Sequence, residues 1–185
     1  MKLIGVAAGA CLFFATSVVV ARDGDLSGGA ATAAIDQQLI DQEVAPIRSQ
    51  AALRQYLRVM PAKSPLRLLS ASSRERFLGS LVFSKKGLAS YSYEELAAHL
   101  TAFEAYKVLA LFGQQSSVKV IPGLRQPDEL SRAIMLSADA RGSSSPASGG
   151  VSPDQSTTPN IPNYGCVRRA TCGQEEGKVC IAANC

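Results

Sequence analysis

Four cysteines near the end of this sequence constrain the fold more than any other feature. Cys166, Cys172, Cys180 and Cys185 all lie within the last twenty residues, with the spacing C-x5-C-x7-C-x4-C. Twenty residues bury too little apolar surface to hold a shape by themselves, so cross-links must substitute for a core. An even, clustered set of cysteines predicts two disulfides. Four cysteines can pair in three ways, and the sequence does not choose among them.

Zinc binding is the alternative interpretation of the same cysteines. Structural zinc sites usually contain short knuckles with two to four residues between ligands. The shortest gap in this cluster, between Cys180 and Cys185, has four residues and is at the upper limit of that range, and neither short gap is a C-x-x-C. We therefore expect disulfides, and we expect neither a bound metal nor a cofactor.

The first 21 residues have the composition of a secretory signal peptide. Lys2 supplies the positive charge, and residues 3–20 are uncharged and largely apolar. Val19-x-Ala21 places small residues before a cleavage at Arg22. The apolar run also reaches the lower limit of a membrane span, so contact with a membrane is expected only if the segment stays uncleaved. Signal and disulfides together predict a secreted or periplasmic protein.

Residues 22–141 predict a small helical domain of four to five helices, with an acidic arm at its start. The strongest helical pattern covers residues 92–113. Ser92 and Glu95 fit a capping box, and Gly113 stands where a helix often ends in a left-handed residue. An apolar stripe between these signals predicts the buried face of the helix, and its members are Leu96, Leu100 and Phe103.

Shorter helices are predicted on both sides of this one. A marginal helix over 30–45 ends before Pro46, and Ser49 begins a second helix that continues to about residue 60. Further helical segments begin at 64–65, at 72 or 73 and at 127, and the last two continue to about 83 and 138. Residues 88–91 are predicted to be an extended link, and residues 118–121 an extended crossover without a partner strand.

The composition changes sharply after residue 141. Residues 142–163 are rich in proline, serine and glycine and predict a flexible linker, and residues 164–185 form the cysteine-rich tail. The predicted fold class is therefore mainly α: a helical domain, a linker, and a short disulfide-stapled tail.

Basic residues are concentrated between residues 48 and 86. This stretch has nine lysines and arginines against the single acid Glu75, whereas residues 22–43 have five acids against Arg22. Such a distribution predicts either an open basic face that attracts anionic partners or a face neutralised within the fold, by the acidic arm or by the acidic start of the 92–113 helix. The candidate contact residues of the chain and its tail are Arg54, Arg58, Arg74, Arg76, Arg168 and Arg169.

Catalytic signatures are weak. His99 is the only histidine, and its spacing of four residues from Glu95 is common on exposed helix faces. No nucleophile elbow, zinc-protease motif or glycine-rich phosphate loop occurs in the sequence. A cleft lined by two carboxylates would leave no spacing signature, and the candidates for one are Glu94, Glu95, Glu104 and Asp128.

Three functional hypotheses follow. The leading one is an exported, non-enzymatic binding protein whose helical domain presents the stapled tail to a protein partner or an anionic surface; nucleic acid is not an expected partner. The alternative is a precursor that releases the tail as a bioactive peptide. The second alternative is a small hydrolase that works with the carboxylates named above.

Overall fold

The structure is a computed structural model and describes residues 36–136 and 160–185. These residues form helices packed against one antiparallel sheet. The helices are α1 at 36–44, α2 at Gln50–Arg58, α3 at Ala71–Gly79, α4 at Glu94–His99, α5 at Ala102–Ala110 and α6 at Glu129–Leu136, with 3-10 helices at Pro65–Leu68 and Gln115–Val120. The strands are β1 at Val82–Ser84, β2 at Gly87–Ser92, β3 at Asn160–Arg168 and β4 at Thr171–Ile181.

The predicted mainly α fold is wrong, because a four-stranded sheet joins both halves of the sequence. The strand order is β1-β2-β4-β3, and every pair is antiparallel. β4 lies between β2 and β3, with Tyr91 opposite Val179. The tail is therefore half of the sheet and not a stapled miniature at the end of a linker. The physical reason is burial, since Val179, Cys180 and Ile181 are completely buried in the common core.

The β1–β2 hairpin replaces two predicted features. The helix expected from residue 72 or 73 to about 83 begins with Ser70 as its cap and ends at Gly79. Val82–Ser84 then turns back and pairs with the following strand, so the expected extended link at 88–91 is part of β2. The periodicity of a short apolar run does not distinguish a helix from a strand. The predicted end of this helix therefore lies about four residues too late.

The predicted helix over 92–113 is interrupted after His99. Leu100 is extended, and Thr101 caps the next helix: its hydroxyl accepts from the amide of Glu104 at 3.2 Å, and the Glu104 carboxylate accepts from the Thr101 amide at 2.9 Å. The capping box predicted at Ser92 is therefore wrong, and the Ser92 hydroxyl instead donates to the carbonyl of Gly177 at 3.1 Å.

The predicted apolar stripe is confirmed in part, and Gly113 has the predicted left-handed conformation. Leu96 and Leu100 are buried, whereas Phe103 is only partly buried and lies under the ammonium of Lys107, 4.6 Å from the ring centre. Gly113 has a φ of 67°, and a Cβ at this position would lie 2.6 Å from the carbonyl oxygen of Asp41 in α1. Only glycine permits both the conformation and the close approach of α1.

Several predicted helix starts are confirmed. Ser49 accepts from the amide of Ala52 at 3.1 Å, Ser64 caps the first 3-10 helix, and Asp128 accepts from the amide of Ser131 at 2.7 Å. Helical backbone at 36–44 agrees with the marginal helix expected there. The extended crossover predicted at 118–121 is wrong, because most of this segment belongs to the second 3-10 helix and Val118 is buried there.

An aromatic cluster packs the helices onto the sheet. The ring of Phe77 meets Tyr91 of β2 and Phe112 edge-on, with centroid distances of 6.4 and 6.1 Å. The Tyr91 hydroxyl, which is fully buried, shares a hydrogen bond of 2.7 Å with Ser117. Burial raises the pKa of Tyr91 far above its usual value, so this phenol stays neutral.

Two of the predicted segments fall wholly or mainly outside the described residues. The signal peptide at 1–21 lies outside them, and so does most of the linker at 142–163, whose last four residues begin β3. Within the ranges that the structure describes, no helix has both the length and the apolar character needed to cross a bilayer.

Replacement of Ile181 tests whether the tail is part of the core. Ile181→Ala removes a buried side chain, and we expect it to lower the free energy of unfolding by about 2–5 kcal/mol. Denaturant unfolding followed by helical circular dichroism measures this effect. Val167→Ala on the same ribbon, at a side chain that is 60% exposed, is the matched control and should change stability by less than about 0.5 kcal/mol. Helical unfolding that is unaffected by Ile181→Ala would contradict the shared core.

Candidate functional site

The ribbon formed by β3 and β4 is folded back on itself. Cys172 and Cys180 are eight residues apart in β4, yet their Cα atoms are only 6.0 Å apart. Eight residues of straight strand would span about 26 Å. The strand pairing breaks at the bend: Pro162 is opposite Val179, but Tyr164 is opposite Gln174. The segment at 175–178 has no partner in β3, although Lys178 pairs with Ser92 of β2, and the ribbon reverses at this segment.

Two disulfides hold the tip of the ribbon against its base. Cys172 is bonded to Cys180, and Cys166 is bonded to Cys185, so the two bridges are nested. This confirms the prediction of two disulfides and supplies the pairing that the sequence left open. The amide of Ala170, at the tip, also donates to the carbonyl of Cys185 at 2.8 Å. The sulfurs of Cys172, Cys180 and Cys185 lie within 4.8 Å of one another because the two bridges are adjacent.

The bend is anchored on the start of α4. The Asn163 side-chain oxygen accepts from the Tyr93 hydroxyl at 2.6 Å and from the Gly177 amide at 3.3 Å. Gly177 has a φ of 76°, and a Cβ there would lie 2.8 Å from a carboxylate oxygen of Glu94. A side chain at position 177 would therefore strain the backbone and displace Glu94.

The folded ribbon and the β1–β2 hairpin enclose a pocket of about 390 Å³. Lys85 and Lys86 come from the turn of the hairpin, and Arg168 and Arg169 come from the tip of the ribbon. No aspartate or glutamate is among its lining residues in the described part of the chain. We call it the basic pocket. Its other walls are Val82, Phe83, Ser84, Ala89, Cys166, Val167, Asn184 and Cys185.

Hydrogen bonds fix the walls of the basic pocket. The ammonium of Lys86 donates to the carbonyl of Ala183 at 2.9 Å, and the buried Asn184 amide donates to the carbonyl of Leu88 at 2.9 Å. The β1–β2 hairpin is thus tied to the segment that carries Cys185. The pocket is preformed to this extent, which lowers the cost of ordering its walls when a ligand binds.

The arginines predicted from sequence divide among separate places. Arg168 and Arg169 line the basic pocket together with two lysines that the sequence placed in the basic stretch but did not single out. Arg54 and Arg74 line a groove between α2 and α3, and the exposed Arg58 lines neither cavity.

Arg76 is neutralised within the fold. Its guanidinium makes two hydrogen bonds to the carboxylate of Glu95, one of them 3.0 Å long. This contact lowers the pKa of Glu95. His99 lies 3.5 Å from the same carboxylate, so the Glu95–His99 pair expected from sequence belongs to this ion cluster.

Neutralisation of the basic stretch is only partial. A second ion pair joins Arg48 to Glu43 at 2.7 Å, and both of its side chains are exposed. Within residues 36–136 and 160–185, no acidic group lies in ion-pair contact with Arg54, Arg58 or Arg74. Part of the basic stretch is therefore paired within the fold, whereas Arg54, Arg58 and Arg74 have no acidic partner in the described residues.

Acid titration tests the Arg76–Glu95 contact. Because the pKa of Glu95 is lower in the folded protein, its contribution to stability is present above its unfolded pKa of about 4.3 and is lost as the pH falls through the folded pKa. We expect Arg76→Gln to raise the pKa of Glu95 and to weaken this acid dependence. An NMR titration of the carboxyl carbon measures the pKa, with Arg58→Gln as control. An unchanged Glu95 pKa in Arg76→Gln would refute the assignment.

The four candidate carboxylates serve separate local structures. Glu95 holds Arg76, Glu104 caps α5, and Asp128 caps α6, where the hydrogen bond from the Ser131 amide lowers the pKa of Asp128. Glu94 lies against Gly177 at the bend of the ribbon. None of the four lines the basic pocket or the α2–α3 groove.

Comparison of the chain with protein-family models, curated proteins and solved structures finds no match. The function must therefore be argued from the geometry of the basic pocket. Its signal in the sequence is two basic pairs, Lys85-Lys86 and Arg168-Arg169, about eighty residues apart. Only the reversal of the ribbon brings these pairs together.

Peptide mapping under non-reducing conditions tests the nested disulfides. Trypsin can cut after Arg169 and Lys178, and elastase can cut between Ile181 and Cys185, which separates all four cysteines. Mass spectrometry should then find Cys166 linked to the peptide of Cys185, and Cys172 linked to that of Cys180. Crossed links, or free thiols in the native protein, would disprove the nested pairing.

Proposed function

We propose that this chain is an exported, non-enzymatic binding protein that receives an acidic segment of a protein partner in the basic pocket. The observation that carries this proposal is that four basic residues from two separate hairpins line one preformed cavity. The two disulfides hint at an oxidising, extracellular environment. Secretion or delivery to a periplasm through the N-terminal signal is part of the proposal.

The chemistry of the pocket favours an anion with an apolar neighbour. Clefts lined by charges of one sign concentrate the electrostatic potential and attract groups of opposite charge. Phe83 and Val167 add apolar wall surface beside the cations. The volume of about 390 Å³ falls in the usual range of ligand pockets. A concave site of this size suits a protruding side chain or short segment better than the flat surface of a bilayer.

Release of the tail as a peptide is less compatible with this fold. Release of residues 164–185 would remove β4, which is an inner strand of the sheet. It would also remove Val179 and Ile181 from the core. A segment designed for release would need to leave without exposing the core of the remainder. This observation favours the binding hypothesis over the precursor.

The hydrolase hypothesis gains no support from the carboxylate positions. Glycosidase-type chemistry needs two carboxyl groups that flank one substrate bond. Glu94, Glu95, Glu104 and Asp128 instead hold a bend, an ion cluster and two helix starts.

A peptide titration tests the proposed function. The probe is a fluorescein-labelled hexapeptide that alternates glutamate and leucine, and fluorescence anisotropy measures its binding. The double variant Arg168→Ala, Arg169→Ala removes two of the four basic residues that line the pocket. We expect it to weaken binding by about tenfold or more, which corresponds to a loss of about 1.4 kcal/mol or more in binding free energy. Added salt should weaken binding to the unaltered protein, since exposed charges are screened.

Matched controls separate pocket binding from general charge attraction. The double variant Arg58→Ala, Lys63→Ala loses the same charge outside the pocket and should bind as the unaltered protein does. A lysine–leucine peptide should not bind. Equal losses in both double variants, or binding insensitive to salt, would refute the pocket as the site.

A further inference from the structure

Helix α1 exposes an apolar stripe to solvent. Leu39, Ile40 and Val44 are 60%, 55% and 73% exposed. On a helix of 3.6 residues per turn these three positions share one face with Asp36 and Glu43, which are also exposed. The partly buried residues of α1 lie on the opposite face, and all of them are polar: Gln38, Asp41 and Gln42.

This arrangement reverses the usual amphipathicity of a surface helix. A helix that only packs on its own domain buries the apolar face and exposes the polar one. Here the polar face of α1 lies against Gly113, where the Asp41 backbone makes the close approach described above. A contiguous exposed apolar face of this kind marks an interaction surface.

A groove of complementary chemistry lies between α2 and α3. It encloses about 640 Å³, and Arg54 and Arg74 are its basic residues. Gln50 and Glu75 add polar lining, and the apolar side chains are Leu53, Leu57, Met60 and Leu78. An apolar groove with cations is suited to an amphipathic helix that carries acids beside its apolar stripe.

We propose that α1 of one molecule binds in the α2–α3 groove of a second copy of this chain. The exposed Leu39, Ile40 and Val44 show that α1 does not fill the groove of its own molecule. Asp36 and Glu43 are seven residues apart, or about 10.5 Å along the helix, and supply the charge opposite to that of Arg54 and Arg74.

The proposed contact costs little in the free molecule. Glu43 pairs with Arg48 there, but both side chains are exposed, and such pairs contribute little to stability. Each molecule carries one α1 and one groove, so two reciprocal contacts would close a dimer with twofold symmetry. This interface is separate from the basic pocket and does not depend on its proposed ligand.

Sedimentation equilibrium over a range of protein concentrations tests the dimer. We expect the unaltered mature protein to be dimeric, and Ile40→Asp to raise the dissociation constant by about tenfold or more. Because Ile40 is exposed, circular dichroism should show an unchanged monomer fold. The double variant Arg168→Ala, Arg169→Ala should dimerise as the unaltered protein does.

Charge exchange distinguishes this interface from any other. A molecule with Asp36→Arg and Glu43→Arg should be monomeric, and so should one with Arg54→Glu and Arg74→Glu. A mixture of the two should form a heterodimer. In it the basic α1 of the first molecule meets the acidic groove of the second, and the acidic α1 of the second meets the basic groove of the first. A monomeric unaltered protein, a groove variant that still dimerises, or a mixture that stays monomeric would each overturn the proposal.

Discussion

The nested disulfides impose the constraint on which the candidate site depends. Each residue of a strand extends it by about 3.3 Å, so an unbent ribbon would carry its tip far from its base. The bridges Cys172–Cys180 and Cys166–Cys185 instead hold its tip against its base. Without this reversal the arginines at the tip would lie far from the lysines of the β1–β2 turn. The basic pocket is therefore a product of covalent connectivity rather than of side-chain packing alone.

The base of the same ribbon is held by a different force. Val179, Cys180 and Ile181 are buried among the helices, and β4 pairs with β2. Burial of apolar surface stabilises this part whether or not the bridges are closed. The cross-links act on the tip and close loops with sequence separations of 19 and 8 residues. For comparison, a loop of about 15 residues contributes about 3 kcal/mol in the chain-entropy model. Within this one strand pair, apolar burial thus stabilises the base, which belongs to the core, and the disulfides stabilise the tip, which lines the basic pocket.

Sequence reasoning succeeded where the signal is local and failed where it is not. The helix starts at Ser49, at Ser64 and near Asp128 were predictable because a capping side chain and the amide it accepts from are neighbours in the chain. The capping-box pattern predicted at Ser92 also occurs at Thr101, and the pattern could not show that Thr101 forms the box and Ser92 does not.

The sheet had no comparable signal in the sequence. Its central pair joins residues near 90 with residues near 180, and such distant pairing leaves no local trace. Because the sequence does not reveal this pairing, it predicts a tail that is separate from the helical domain. For the same reason the arginines at the ribbon tip could be proposed as contacts, but their two lysine neighbours could not be identified.

The position of β4 in the sheet also sets the order of events during biosynthesis. Among the described elements it follows every partner that it contacts, so the ribosome completes it after them. Before it emerges, β1 and β2 form only a two-stranded hairpin, which is marginally stable without further strands. Long-range strand pairing of this kind also forms slowly. The chain can therefore stay loosely structured until late in synthesis, a state compatible with passage through a membrane before the cysteines are oxidised.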